Sequence, residues 1–261
     1  MDHQDSEDKQ GIAPVTLCDI TLYSLLTIVV SVCTFRQFCC RRFKWRKFTT
    51  QQIFHVYLFA FMCCRETRSI FSVSDKGGTP IWFFFSRNAL YLFTLSFGVV
   101  IIYFAIEVMF VSRLVVQRSW WSLYVLTVLC EMFVVAGSIY YAIEPERFSS
   151  GSVFYDMSID ISTFLCLCAA VGILIVGLRI ANRFKKGKLQ RYHRAYYKMM
   201  GVTLLTTGMM IGRFAMFLYR PITGEYLNEW LFNMFAYWLP EISLTFSFSP
   251  FSAPPSPFLQ Q

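Results

Sequence analysis

Seven apolar stretches, each close to the length of a bilayer crossing, dominate this sequence: Val15 to Phe35, Ile53 to Val73, Arg87 to Phe110, Trp121 to Ala142, Met157 to Leu178, Met199 to Tyr219 and Glu229 to Phe248. A helix needs about 20 mainly apolar residues to span the hydrocarbon. Inside lipid a backbone can pair its own N–H and C=O groups only as a helix or a closed barrel, and runs of this length suit helices. Charged residues make up 15% of the chain, against roughly 25% in a soluble domain. The expected fold is all-α, a multi-pass transmembrane bundle of seven helices. An acidic N-terminal tail (1–14) precedes the transmembrane domain (15–248), and a Pro/Ser-rich tail (249–261) that reads as disordered follows it. Seven spans use about 140 residues, and the connections left over are too short for a soluble catalytic domain. Any function falls to the bundle or its short loops.

The first stretch opens after Pro14, which suits a helix start because the N–H that proline lacks would be unpaired there. The charges before it are mostly acidic (Asp2, Asp5, Glu7, Asp8), unlike the basic leader of a cleaved signal, so it is expected to remain as the first span. Lys and Arg in the connections then set the orientation. Arg36, Arg41, Arg42, Lys44, Arg46 and Lys47 lie between spans one and two, and Arg113 and Arg118 between three and four. Arg179, Arg183, Lys185, Lys186, Lys188, Arg191, Arg194 and Lys198 lie between five and six, and none of these connections holds an acid. The other side carries the acidic N-terminus, Asp75, Glu144, Glu146, Asp156 and Glu225. An N-terminus outside or in the lumen, and a cytoplasmic C-terminus, follow. The net charge of +8 thus sits on one face, where it suits an anionic leaflet or an acidic partner protein, and nucleic acid is not needed to explain it.

Ionisable residues within spans are costly to insert and are kept for pairing or function. Converted to depth at about 1.5 Å per residue, Arg65, Arg68, Arg87 and Arg213 fall in the outer half, with Asp19, Glu66, Glu131, Asp160 and Glu229 at middle or outer depth. This pattern predicts an ion-pair cluster lining an outward crevice, with either Glu131 or Asp160 as the partner of Arg65. Arg65 and Arg68, three apart, share a helix face. Glu107 and Glu241 fall towards the cytoplasmic side, where His55 is a candidate partner and Arg113 is within reach of Glu107. Gly208 and Gly212 form a G-x-x-x-G in span six, expected to pack closely inside the bundle. Pro240 should kink span seven beside Glu241.

Known catalytic signatures are missing: there is no H-E-x-x-H, Walker loop, G-x-S-x-G or G-x-G-x-x-G. His3, His55 and His193 have no Cys partners at metal spacing, so neither metal, cofactor nor catalysis is expected. Every Lys lies outside the spans, which excludes a retinal Schiff base. No acid-Arg-Tyr follows span three and no Asn-Pro-x-x-Tyr closes span seven, so a rhodopsin-like receptor is not indicated. Only Cys18 lies near the outer side, so no luminal disulfide is expected. Cys39 and Cys40 abut the basic run that ends span one, a position that favours S-palmitoylation.

Several landmarks carry a resemblance. Trp45, Thr49, Thr50, Gln51, Phe54 and His55 enter span two, with Arg65 ten residues after the His. Phe104, Ala105 and Glu107 precede Arg113 by a turn or two, Lys186, Gly187, Lys188 and Leu189 form a basic turn before span six, and Tyr237 stands four before Glu241. In this order and spacing the chain resembles the plant tobamovirus multiplication (THH/TOM) family, and through it the orphan receptor-like lysosomal seven-helix proteins of animals. It departs in that Pro240 precedes Glu241, where the family's proline follows, and in having Ser249 to Gln261 in place of a basic segment.

The resemblance implies a vacuolar, lysosomal or other endomembrane protein without catalysis. It also implies binding of an Arf-like small GTPase and, in plants, recruitment by tobamovirus replication proteins. The basic residues Arg179, Arg183, Lys185, Lys186, Lys188, Arg191 and Arg194 form the largest surface for such a soluble partner. The rival expectations are a proton- or solute-coupled transporter using Arg65, Glu107, Glu131, Arg213 and Glu241, and a ligand-sensing receptor whose pocket is the outer crevice. Against the transporter, no inverted repeat is visible. An acyl-exchange assay should shift the native chain, and the shift should vanish when Cys39→Ser and Cys40→Ser are combined.

Overall fold

The computed structural model describes residues 14–39, 50–73, 79–107, 113–144, 153–185, 190–223 and 228–248. These form α1 (Pro14–Cys39), α2 (Thr50–Val73), α3 (Pro80–Glu107), α4 (Arg113–Ile143), α5 (Val153–Lys185) and α6 (Gln190–Thr223). The last stretch runs without a break as α7 (Glu229–Asn233), a π-helical turn (Met234–Trp238) and α8 (Leu239–Phe248). There is no strand among the described residues. Both tails, 1–13 and 249–261, lie outside them.

Each helix opens where the sequence supplies a start. Pro14 and Pro80 occupy first positions, where the missing N–H is no loss. Thr79 Oγ1 accepts from Trp82 N at 3.2 Å, and Asn228 Oδ1 accepts from Trp230 N at 3.0 Å, each satisfying one of the helix's free donors. The helices run past the apolar limits read from the sequence: α3 begins seven residues before Arg87 and α4 eight before Trp121. Hydropathy marks where lipid ends, whereas a helix can continue into water with its backbone still paired.

Among the described residues, five helices are long and apolar enough to cross a membrane, over Pro14–Arg36, Pro80–Ile102, Gln117–Ile143, Phe154–Asn182 and Met200–Tyr219. α2 is as long as a span but carries Arg65, Glu66 and Arg68 in its second half, and the final stretch is divided by its π turn. The bundle is apolar outside, and its charged side chains are held within an otherwise apolar core. Leu25, Ile28 and Val32 on α1 and Tyr124, Leu129, Met132 and Ile139 on α4 are exposed, while Arg65, Arg87, Arg213 and Glu241 are buried. A soluble protein has the opposite arrangement, and lipid is the solvent that accounts for this one. Hydroxyls within the helices bond back to their own backbone, as Ser69 does to the Arg65 carbonyl at 3.1 Å and Thr94 to that of Leu90 at 3.0 Å, so they need no water.

α3 is the centre. Of its apolar stretch 78% is buried, against 22% for α1 and for α4, and it packs on α2, α4 and α5. Phe93 sets its ring against Phe61 of α2 and Phe97 of its own helix, at 5.5 and 5.2 Å between centroids. From α3 a ring of neighbours closes through α5, α6, the last stretch, α1 and α2, with α4 mainly against α3.

The expected close packing in α6 is not found. No described residue of another helix lies within 4 Å of a Cβ placed at Gly208 or Gly212, so the G-x-x-x-G does not pack against the described helices. The buried face of α6 runs through Thr203, Thr207, Met210, Arg213 and Phe217, and at 3.6 residues per turn Gly208 and Gly212 fall away from it. Close approach occurs instead at Gly177 of α5, where a Cβ would lie 2.2 Å from Thr203 Oγ1. At Pro240 the helix is locally rewound. In a continuous α-helix its ring would meet the carbonyl of Ala236; the preceding turn is widened, and Leu239 N–H bonds to Met234 O, five residues back.

Gly177→Ala should lower stability by about 1–3 kcal/mol, the usual effect of overpacking, and Thr203→Ala in the same chain should recover most of it. Gly208→Ala and Gly212→Ala should change it by less than about 0.5 kcal/mol. Unfolding followed in detergent micelles distinguishes the two pairs.

Candidate functional site

The described ion pairs converge on one carboxylate. Glu241 of α8 receives Arg65 of α2 in a two-pronged contact, Nη2 to Oε1 at 2.9 Å and Nε to Oε2 at 3.1 Å. Arg213 of α6 donates from Nη1 to Oε1 at 3.3 Å. Tyr23 of α1 completes the set, its hydroxyl donating to Oε2 at 2.6 Å. Arg65 and Glu241 are each 1% exposed and Arg213 is 0% exposed. Two guanidinium groups on one carboxylate leave a positive excess in the buried interior, and Arg65 Nη1 and Arg213 Nε and Nη2 have no hydrogen-bond partner among the described residues.

Aromatic faces take up part of that excess, since a cation is drawn to the negative face of a ring. The Arg65 guanidinium lies 4.0 Å from the Tyr237 ring centroid, and those of Arg68 and Arg213 lie 5.4 and 5.5 Å from the same ring. Arg213 also sits 4.1 Å from the Phe93 ring. Tyr237 belongs to the π turn, and such turns recur at functional sites because the extra residue re-aims the side chains around it. Its neighbour Trp238 donates from Nε1 to Asp19 of α1.

Beyond Tyr237 a crevice of about 830 Å³ opens at the end of the bundle that carries the start of α1. Arg68, Arg87 and Tyr237 contribute to its lining, with aromatic and aliphatic wall from Trp82, Ile159, Met216, Phe217 and Phe232. Asp19, Asp156, Asp160 and Glu229 also face it. Arg87 lies 4.4 Å from the Tyr155 ring, and neither Arg68 nor Arg87 has an ion pair among the described residues.

The sequence-derived site is thus partly brought together. Arg65 and Arg213 meet, and Arg68 and Arg87 line the expected crevice. Arg65, however, pairs with neither of its expected partners. Glu131 of α4 is held by Asn88 of α3, whose amide nitrogen, oriented to donate, lies 2.9 and 3.2 Å from the two carboxylate oxygens. Asp160 is exposed on α5 and faces the crevice.

Glu241, placed towards the cytoplasm with His55, instead joins Arg65 and Arg213. It stands 12 residues from the start of α7, while Arg65 and Arg213 stand 8 and 10 from the ends of α2 and α6. Those differences amount to about 6 and 3 Å at 1.5 Å per residue, which a long Arg side chain covers. His55 is buried on α2. Glu107 ends α3, but its side chain and that of Arg113 lie outside the described residues. So do the side chains of Arg183, Lys185, Arg191 and Arg194, together with Lys186, Lys188 and Cys40; Arg179 and Cys39 are exposed. No group of His, Cys, Asp and Glu suited to a metal occurs among the described residues.

Tyr23 and Asn88 were not singled out by sequence. Each is one polar group in an apolar helix, and nothing local separates Tyr23 from the other tyrosines. Tyr237 had a signal, since it stands four residues before Glu241 and so on the same side of an ideal helix.

Fold and site together define the class: a multi-helix integral membrane protein with an ionic core beneath a polar crevice. The chain matches no family model, no curated protein and no solved structure. A closer family reading therefore rests on the landmark residues alone.

Glu241→Ala should destabilise the bundle by about 3–5 kcal/mol, because it leaves two buried guanidinium groups without their carboxylate. Tyr23→Phe, which removes one bond to a charged group, should cost about 1.5–3 kcal/mol. Thermal unfolding in micelles should rank the two in that order.

Proposed function

We propose that this chain is a seven-span, receptor-like endomembrane scaffold that recruits cytosolic partners through its basic face. In this topology α1 to α6 and the final α7–α8 stretch each cross the bilayer, with the N-terminus in the lumen and the C-terminus in the cytosol. The observation that carries it is the separation of charge: the connection from Arg179 to Lys198 holds eight cations and no acid, while the crevice at the other end of α5 and α6 faces four carboxylates. An acidic surface on a soluble protein is the natural complement of such a basic loop.

The resemblance to the tobamovirus multiplication family supports an Arf-like small GTPase as that partner, a vacuolar or lysosomal membrane as its place and, in a plant, tobamovirus replication proteins as further clients. No step of catalysis is assigned. Ligand sensing is the second reading, favoured by a crevice whose volume falls within the range of small-molecule sites, about 300–1,000 Å³. Its floor, Tyr237, touches Arg65 and Arg213 of the ionic core, so an occupant would bear on the contact that joins α2, α6 and α8.

Proximity labelling from the loop between Lys185 and Arg194 tests the scaffold. The native chain should label a small GTPase or a coat protein, and a chain with the basic residues of that loop changed to Gln should lose the signal while keeping its topology. Equal labelling in both chains would refute recruitment through the basic face.

A further inference from the structure

Arg87 is a buried guanidinium without a carboxylate partner among the described residues. Only 3% exposed, it has neither an ion pair among the described residues nor a hydrogen-bond partner at Nε or Nη2. The Tyr155 ring lies 4.4 Å from its guanidinium and that of Phe83 5.4 Å. Arg68 enters the same crevice with Nε unpartnered. A buried guanidinium is tolerated when its donors meet acceptors, and its planar fork matches a carboxylate. Two of them in one crevice, above a core that already carries more guanidinium than carboxylate, favour an anionic group there.

The rest of the crevice restricts that anion. Asp156 and Asp160 stand one turn apart on α5, beside the Tyr155 that stacks on Arg87, and both are exposed. Asp19 and Glu229 add negative charge from α1 and α7. A polyanion would be repelled by these groups, and a simple monoanion would leave them unanswered. A ligand with a carboxylate at its inner end and an ammonium at its outer end meets both sets of charge. Trp82, Ile159, Met216 and Phe217 between them offer an apolar wall for its body.

The geometry points to a site for an apolar zwitterion, a short peptide or large amino acid. Its carboxylate is held by Arg87 and Arg68 and its ammonium faces Asp156 and Asp160. This ligand class presupposes the ligand-sensing reading given above.

Four forms of one dipeptide separate the possibilities: Leu-Phe, its N-acetyl form, its amide and its N-acetyl amide. Each is titrated against the full chain in lipid nanodiscs, with binding read from competition with labelled Leu-Phe and from direct calorimetry. Leu-Phe should bind saturably; blocking its carboxylate should weaken it by about tenfold or more, as expected when a buried charged partner is left unpaired, and blocking its ammonium, which faces exposed carboxylates, should weaken it by a smaller factor. Arg87→Gln should abolish the preference for a free carboxylate, whereas Arg87→Lys, which keeps the charge but not the fork, should retain part of it. Asp160→Asn should reduce the preference for a free ammonium. The unliganded unfolding midpoint of each variant reports folding separately.

Equal binding of Leu-Phe and its N-acetyl amide would overturn the zwitterion assignment while leaving a ligand site in place. Equal binding of Leu-Phe and its N-acetyl form would overturn the role given to the carboxylates of α5. Binding of none of the four to a folded native chain would overturn both the assignment and the ligand-sensing reading beneath it.

Discussion

One carboxylate organises the interior. In lipid, helices gain little by burying apolar side chains against one another, because the acyl chains are equally apolar, and their arrangement is decided by packing and by polar contacts. Glu241 takes Arg65, Arg213 and Tyr23 at once and thereby specifies that α8 stands among α1, α2 and α6. A buried ion pair is weak support for stability but can fix register, and that is the role this cluster suits. Its strength comes from mutual dependence: each guanidinium is tolerable in a dry site only while the carboxylate is present.

The last helix is where this requirement meets the backbone. A straight α-helix through Pro240 would place the proline ring against the carbonyl four residues before it. The π turn from Met234 to Trp238 removes that clash and brings Tyr237 among three guanidinium groups. The same turn thus serves the ionic core on one side and the crevice on the other. Any movement of Tyr237 alters both, which gives a physical route from crevice to bundle without a separate hinge.

Much of the architecture was legible because lipid imposes a one-dimensional rule on the chain. Apolar length marks a crossing, so α1, α3, α4, α5 and α6 could be read with their flanks too short by a few residues. The long Arg and Glu side chains could be placed by depth, and Arg65, Arg68, Arg87 and Arg213 do lie on or next to the crevice. Gly208 and Gly212 misled because a motif that permits close approach does not supply the neighbour; Thr203 meets Gly177 instead. Tyr23 gave no signal, since a tyrosine that donates to a buried carboxylate looks in sequence like one that faces lipid.

By itself the sequence determined that this chain is a helical membrane protein, that its exterior is apolar, and that several charges must be kept out of lipid. Those outcomes follow from hydropathy and backbone pairing, which act along each segment separately. Only the tertiary structure decided that Arg65 meets Glu241 and leaves Glu131 to Asn88, and that Arg87 faces a crevice without an ion pair among the described residues. Depth along a helix can be counted from residue numbers, but the order of helices around a bundle and the direction each one faces depend on contacts between segments far apart in the chain.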